Sequence, residues 1–214
     1  MSSTKGFATQ LAQSCFDLKI DVNSSQQATL IDYLSLLAKW NRAYNLTSIP
    51  NPCWVSELLL DALVAMPYLH KGPILDVGSG AGLPGVPLAI ARPDLNFTLL
   101  DSNGKKTRFI KQVAIDLQIV NLDVIQSRIE DFTDASGYAL IVSRAYAELD
   151  VFLNSTRHLL AEQGHWLAWK GTRLKLELEK VSMPVVVNET IEIKLPDVAG
   201  QRYLLDISIK KTTG

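Results

Sequence analysis

Residues 75–85 read LDVGSGAGLPG, and they follow directly on Ile74, so the apolar run ILDV (74–77) breaks into glycine as soon as it ends. Gly78, Gly80 and Gly82 let the backbone turn tightly and stay bare for close approach, while a helix beginning after them offers unpaired N–H groups. Strand, glycine turn and helix in this order predict a ligand-binding βα unit. Outward from it, FTLL (97–100), LDVIQ (122–126), YALIV (138–142) and HWLAW (165–169) repeat the short apolar run, separated by helix-length segments. Such alternation predicts an α/β fold with a mainly parallel sheet covered on both faces. PVVV from Pro184, IEIKL from Ile191 and YLLDISI from Tyr203 follow one another too closely for helical crossovers, so at least the last pair is expected to be antiparallel.

Toward the N-terminus the period changes. Asn23 and Ser24 are good N-cap types, and Leu30, Ile31, Leu34, Leu37 and Ala38 recur as the stripe of an amphipathic helix running into KWNRAYNLTSIP. A further helix is expected after Pro52, through Leu58, Leu59, Ala62 and Met66 to Tyr68. Lys71-Gly72-Pro73 then punctuates the chain, which divides it into a helical extension (1–70) and a ligand-binding domain (71–214).

A chain of 214 residues with 47% apolar composition can bury a real core, which excludes disorder and fibres. Its 21 basic and 22 acidic residues leave a net charge of -1, so no overall positive field attracts a polyanion; any such partner must meet a local patch. Lys5 is followed by no apolar leader, and the apolar stretch LLLDALVAM is cut by Asp61, so a soluble cytoplasmic protein with no membrane contact is expected. Cys15 and Cys53 read as buried thiols, and His70, His158 and His165 stand apart from other ligand types, so no metal is expected.

Gly80, Gly82 and Gly85 also satisfy the dinucleotide spacing GxGxxG, so glycine alone leaves the ligand open. Three neighbours favour S-adenosyl-L-methionine (AdoMet). Asp76, two residues before Gly78, suits an ammonium group and would repel a pyrophosphate. Pro84 and Pro87 lack the N–H donors a phosphate needs. Asp101, nineteen residues after Gly82 at the end of the second strand, is placed to accept from ribose hydroxyls, a role shared with nicotinamide enzymes. The plainer alternative is a tight turn beside a strand-end aspartate.

With KWNRAYNLTSI, LDVGSGAGLPG, LLDSNGKKTRFI, QSRIE and IVSRAYA in that order, residues from about Leu30 to Lys170 resemble the RsmG (GidB) family of bacterial small-subunit ribosomal RNA guanine-N7 methyltransferases. The resemblance implies a class I AdoMet-dependent methyltransferase fold, Rossmann-like, with an N-terminal helical extension. It implies AdoMet as donor and 16S ribosomal RNA of the 30S subunit as partner. By the same resemblance Gly78 and Leu83 line the methionine and ribose side of the donor pocket, Ile129 and Glu130 flank the adenine, and Arg144 sits at the mouth. Glu57-Leu58 stand where family members commonly carry Arg-His, which removes two cations from an RNA-facing role. Guanine N7 has a lone pair and no proton, so no general base is expected, only placement.

Lys105, Lys106, Arg108 and Lys111 form an acid-free run, of which Arg108 and Lys111 fall off the apolar stripe of their helix. A solvated face is the ordinary reading, but Lys105 and Lys106 oppose the macrodipole in the first turn, which sets phosphate contact beside it as a second reading. Arg144 closes the fourth strand, with Glu148 as an alternative structural partner, and Lys170 closes the fifth. Asn41 and Arg42 are further RNA candidates, whereas Trp40 and Tyr44 read as packing. The candidate RNA contacts are therefore Asn41, Arg42, Lys105, Arg108 and Lys170, on a chain expected to act as a monomer. A nicotinamide oxidoreductase and a non-catalytic AdoMet-binding regulator remain as alternatives.

Overall fold

A computed structural model describes residues 4–70 and 72–210. Lys71, the first residue of the expected punctuation, lies outside the described residues. After α1 (Thr4–Asp17), helix α2 (Ser24–Tyr44) begins at Asn23, whose side chain accepts from Gln26 N while Gln26 returns a bond to the Asn23 N–H, a complete capping box. It ends at Asn45 in the left-handed region.

The helix expected after Pro52 is not one helix. Residues 51–53 and 66–68 are single 3-10 turns, 55–60 form a π turn, and only α3 (Asp61–Leu63) is α-helical. Leu58, Leu59 and Leu60 are all wholly buried. An amphipathic helix leaves one side to water, but from Trp54 to Leu63 every residue except Glu57 is buried, because the segment packs against α1 and against the sheet-covering helix α4 (Gly85–Ala91). Cys15 is buried, whereas Cys53, expected to be buried, is only half-buried in the exposed 3-10 turn.

The sheet holds β1 (Ile74–Val77), β2 (Phe97–Asp101), β3 (Leu122–Gln126), β4 (Tyr138–Arg144), β5 (Leu160–Lys170), β6 (Val185–Glu192) and β7 (Tyr203–Ile209) in the order β3-β2-β1-β4-β5-β7-β6. β1 to β5 pair in parallel, and β7 runs antiparallel to both of its neighbours. PVVV and the start of IEIKL, read as two strands, are one: β6 continues through an irregularity between Val187 and Glu189 and stops at Glu192. As an outer strand it buries little, so the break in its apolar pattern reflects exposure and not a turn.

Alternation along the strands divides the core. Ile74, Phe97, Leu99, Val142 and Trp169 face α1, α2, α4 and α5 (Gly104–Asp116), whereas Leu75, Val77, Ile141 and Trp166 face α6 (Leu149–Thr156) and α7 (Leu174–Glu179). The N-terminal helices and one face of the sheet thus share a continuous apolar cluster. Because the chain proceeds from β1 outward to β3 and then returns to place β4 on the other side of β1, a crevice opens at the carboxyl ends of these two strands.

Candidate active site

The glycine turn fills one wall of that crevice. Gly78, Gly80 and Gly82 all have positive φ (70°, 60° and 86°), which is the freedom the sequence reserved for glycine. At Gly78 a side chain is excluded on a second ground: a Cβ there would lie 2.7 Å from a ring carbon of Tyr146. Tyr33, buried in α2 and not singled out by the sequence pattern, donates its hydroxyl to the Ala81 carbonyl (2.9 Å), so the helical extension holds the turn from beneath.

Asp76 is wholly buried. Its Oδ2 accepts from Gly85 N (2.8 Å), and its Oδ1 has no partner among the described residues. Burial pushes the carboxyl up to about 7, against the pull of the Gly85 N–H and Arg144, with Asp101 adding to the rise. Asp101 closes β2, where its two oxygens accept from Gly80 N (2.9 Å) and Asn103 N (2.8 Å). Lys106, in the first turn of α5, brings its ammonium to 3.7 Å from Asp101.

A cavity of about 280 Å³ is lined by Gly78, Asp101, Lys106, Ile129, Glu130 and Tyr146, among others. It brings together four of the residues expected at the donor: Gly78, Asp101, Ile129 and Glu130. Leu83 is instead buried beneath the turn, where its N–H donates to Ser79 O (2.8 Å). Of the two lysines opening α5, Lys106 faces the cavity, while Lys105 and Arg108 are exposed to solvent, with Arg108 Nε donating back to the Gly104 carbonyl.

Ala145 also borders a second, larger cavity of about 690 Å³. Arg144 lies there, as does Lys170. The partner of Arg144 is Asp61, not Glu148: Nη1 donates to Asp61 Oδ2 (2.9 Å) and to the Glu57 carbonyl (2.8 Å). Glu148 lies 3.7 Å from Lys180 instead. Lys170 donates to the Ala147 carbonyl (2.9 Å) and to Glu177 (2.8 Å), so its charge is compensated. Glu57 takes Arg202 Nη2 at 2.7 Å. The pairing of Asp61 with Arg144 and of Glu57 with Arg202 had no sequence signal, since each joins partners far apart along the chain.

Through Ile49 the larger cavity adjoins a depression of about 630 Å³ lined by Asn41, Arg42, Asn51, Pro52 and Trp54. Arg42 is exposed there. Asn41 clasps the loop after α2, with Oδ1 accepting from Thr47 N (2.9 Å) and Nδ2 donating to Thr47 O (3.1 Å). Trp40 packs on Phe109 and Tyr44, with ring centres 5.6 Å and 5.3 Å apart.

The chemistry available is that of two adjoining chambers, one lined by glycine and carboxylates, the other by paired charges. Among the described residues no helix is long and apolar enough to cross a membrane. Among solved structures, the N-methyltransferase NodS from Bradyrhizobium japonicum WM9, in complex with S-adenosyl-L-homocysteine, aligns over 82% of this chain and 96% of its own, with TM-score 0.56 and 14% identity. A ribosomal protein L11 methylase from Lactobacillus delbrueckii subsp. bulgaricus aligns over 70% of this chain and 77% of its own, with TM-score 0.55 and 18% identity. These likenesses show the class I methyltransferase fold that the family resemblance implied, built on the mainly parallel sheet expected from the strand pattern. A protein of Pseudomonas aeruginosa (strain LESB58) called ribosomal RNA small subunit methyltransferase G is 46% identical over 204 residues, covering 94% of this chain and 95% of its own. One of the same description from Laribacter hongkongensis is 41% identical, covering 94% and 98%. The family model described as rRNA small subunit methyltransferase G (GidB) matches residues 26–205, and the chain belongs to that family.

Proposed function

We propose that this chain transfers a methyl group from AdoMet to N7 of a guanine in 16S ribosomal RNA, working in the cytoplasm on the 30S particle. AdoMet supplies an electrophilic sulfonium methyl. The observation that carries the reading is the buried, unpartnered Oδ1 of Asp76, within electrostatic range of Asp101 in the smaller cavity and Arg144 in the larger. A buried acceptor of this kind suits an ammonium, directly or through a water, and would repel a pyrophosphate. This counts against a nicotinamide cofactor.

Asp101 keeps acceptor capacity for ribose hydroxyls, and Ile129 and Glu130 line the same cavity. N7 needs no proton removed, so the task of the residues around Ala145 is to seat the base in line with the donor. In this reading residues 1–70 form an appended unit that supports the turn through Tyr33, and residues 71–214 carry the donor site. One chain contains both chambers, which is consistent with action as a monomer. Exposed Arg42, Lys105 and Arg108 are the candidates for backbone contact, and near-neutral net charge favours recognition of an assembled particle by shape.

The experiment is transfer from labelled AdoMet to 30S particles lacking the modification, with the product mapped by strand cleavage at 7-methylguanine. Incorporation at one guanine is expected. No incorporation despite AdoMet binding, which would mark a regulator, or label on an exocyclic amine, overturns the proposal.

A further inference from the structure

The larger cavity is charge-balanced. Its lining holds four cations, Arg144, Lys170, Arg173 and Arg202, and four carboxylates, Glu57, Asp61, Glu148 and Glu177. At its inner end two arginines and two carboxylates interlock. Asp61 Oδ2 holds Arg144 Nη1 at 2.9 Å, Glu57 Oε2 holds Arg202 Nη2 at 2.7 Å, and Asp61 Oδ1 lies 3.7 Å from Arg202 Nη1. Asp61 is only 2% exposed, against 17% for Arg144 and 29% for Arg202. Arg144 spends Nη1 on both of its contacts, and among the described residues its Nε and Nη2 have no acceptor.

Such a cluster is a poor trap for phosphate, because its positive charge is cancelled within the cluster. It is a good presentation of N–H donors to a neutral group bearing an acceptor oxygen. We propose that Arg202 is a base-recognition residue, donating together with Arg144 to the carbonyl O6 of the acceptor guanine, with Glu57 and Asp61 as positioning residues that hold both guanidinium groups and cancel their charge. The inference rests on the guanine-N7 reading. O6 and N7 share one edge of the ring, so a donor at O6 registers N7, and adenine would set an amino group against those same donors. Methylation at N7 leaves a cationic base, which a net-positive chamber would oppose and a compensated one does not. The position where the family commonly has arginine thus has a use for Glu57 in this chain. Arg202 itself is placed by the β6–β7 hairpin, where its carbonyl accepts from Ile193 N (2.8 Å).

The test compares Arg202→Gln, Arg202→Lys and Glu57→Gln in transfer to 30S particles lacking the modification, at several salt concentrations, with AdoMet affinity by calorimetry as the check on folding. Arg202 does not line the donor cavity, so AdoMet Kd should stay within about twofold while both Arg202 variants lose on the order of 10- to 100-fold in kcat/KM, the worth of one base-edge pairing. Their dependence on salt should match that of the parent. Glu57→Gln, which uncovers a positive charge, should lose activity and steepen the salt dependence. A loss in Arg202→Gln that flattens the salt slope by about one, with rescue by lysine, would identify a phosphate contact and overturn the inference, as would parental activity in Arg202→Gln. Parental label found away from guanine N7 overturns the functional reading as well, and product mapping separates the two failures.

Discussion

Asp76→Asn probes the proposed donor assignment through a quantity other than turnover. The Asp76 carboxyl is wholly buried and raised to about 7 by that burial, with only the Gly85 N–H and the field of Arg144 acting against it and Asp101 acting with it. An ordinary aspartate titrates near 4, so at neutral pH and above the folded chain forgoes roughly 4 kcal/mol in ionising this group, at about 1.4 kcal/mol per pH unit. Because the folded pKa is the higher one, the contribution to stability is fully present below about pH 4 and is lost as pH rises to about 7. A cation settling at Oδ1 reverses this preference. Below pH 7 AdoMet binding should therefore expel a proton, and Kd should improve by up to about tenfold per unit between pH 5 and 7, then worsen above about pH 8 as the ligand's own amino group deprotonates. Asp76→Asn keeps an acceptor for Gly85 N and should lose the acidic limb while being no less stable than the parent at pH 8. Calorimetry in two buffers of different ionisation enthalpy counts the proton, and urea unfolding at pH 5 and 8 follows the stability. A parental Kd that is flat from pH 5 to 7 with no proton released would refute the assignment of Asp76 to the ammonium.

Two further substitutions test the scaffold. Gly78→Ala places a Cβ 2.7 Å from the Tyr146 ring at a φ of 70°, and should cost about 1 kcal/mol in urea unfolding together with at least about tenfold in AdoMet affinity; unchanged affinity would show that the turn is not the donor wall. Thr156→Val removes the oxygen that accepts from Trp166 Nε1 (2.8 Å) and itself donates to Phe152 O (2.7 Å), all buried, so stability should fall by about 1–3 kcal/mol with the AdoMet Kd unaltered. A loss within experimental error would mean that the indole finds another acceptor.

Much of the proposed donor site was legible because it is local. LDVGSGAGLPG carries its own turn, Asp101 is the last residue of a short apolar run, and Asn23 with Gln26 announces the start of α2. The broken helix over 51–68 was not legible, since apolar spacing records which residues are buried but not that 54–63 are covered on nearly every side. Nor could helical position alone tell Lys105 from Lys106. Only the approach of α5 to the end of β2 puts the second of them beside Asp101.

The division follows from the range of the forces involved. Turn conformation, capping and the alternation of strand and helix depend on neighbours a few residues away, so the sequence by itself determined the α/β class, the direction of its last strands and the glycine turn after β1. Which charges cancel depends on contacts across 83 residues for Asp61 with Arg144 and 145 for Glu57 with Arg202. Those pairs exist because β4 returns beside β1 and the β6–β7 hairpin closes over the same edge, and only the tertiary structure decided that a chamber lined by eight charged side chains would carry no net charge.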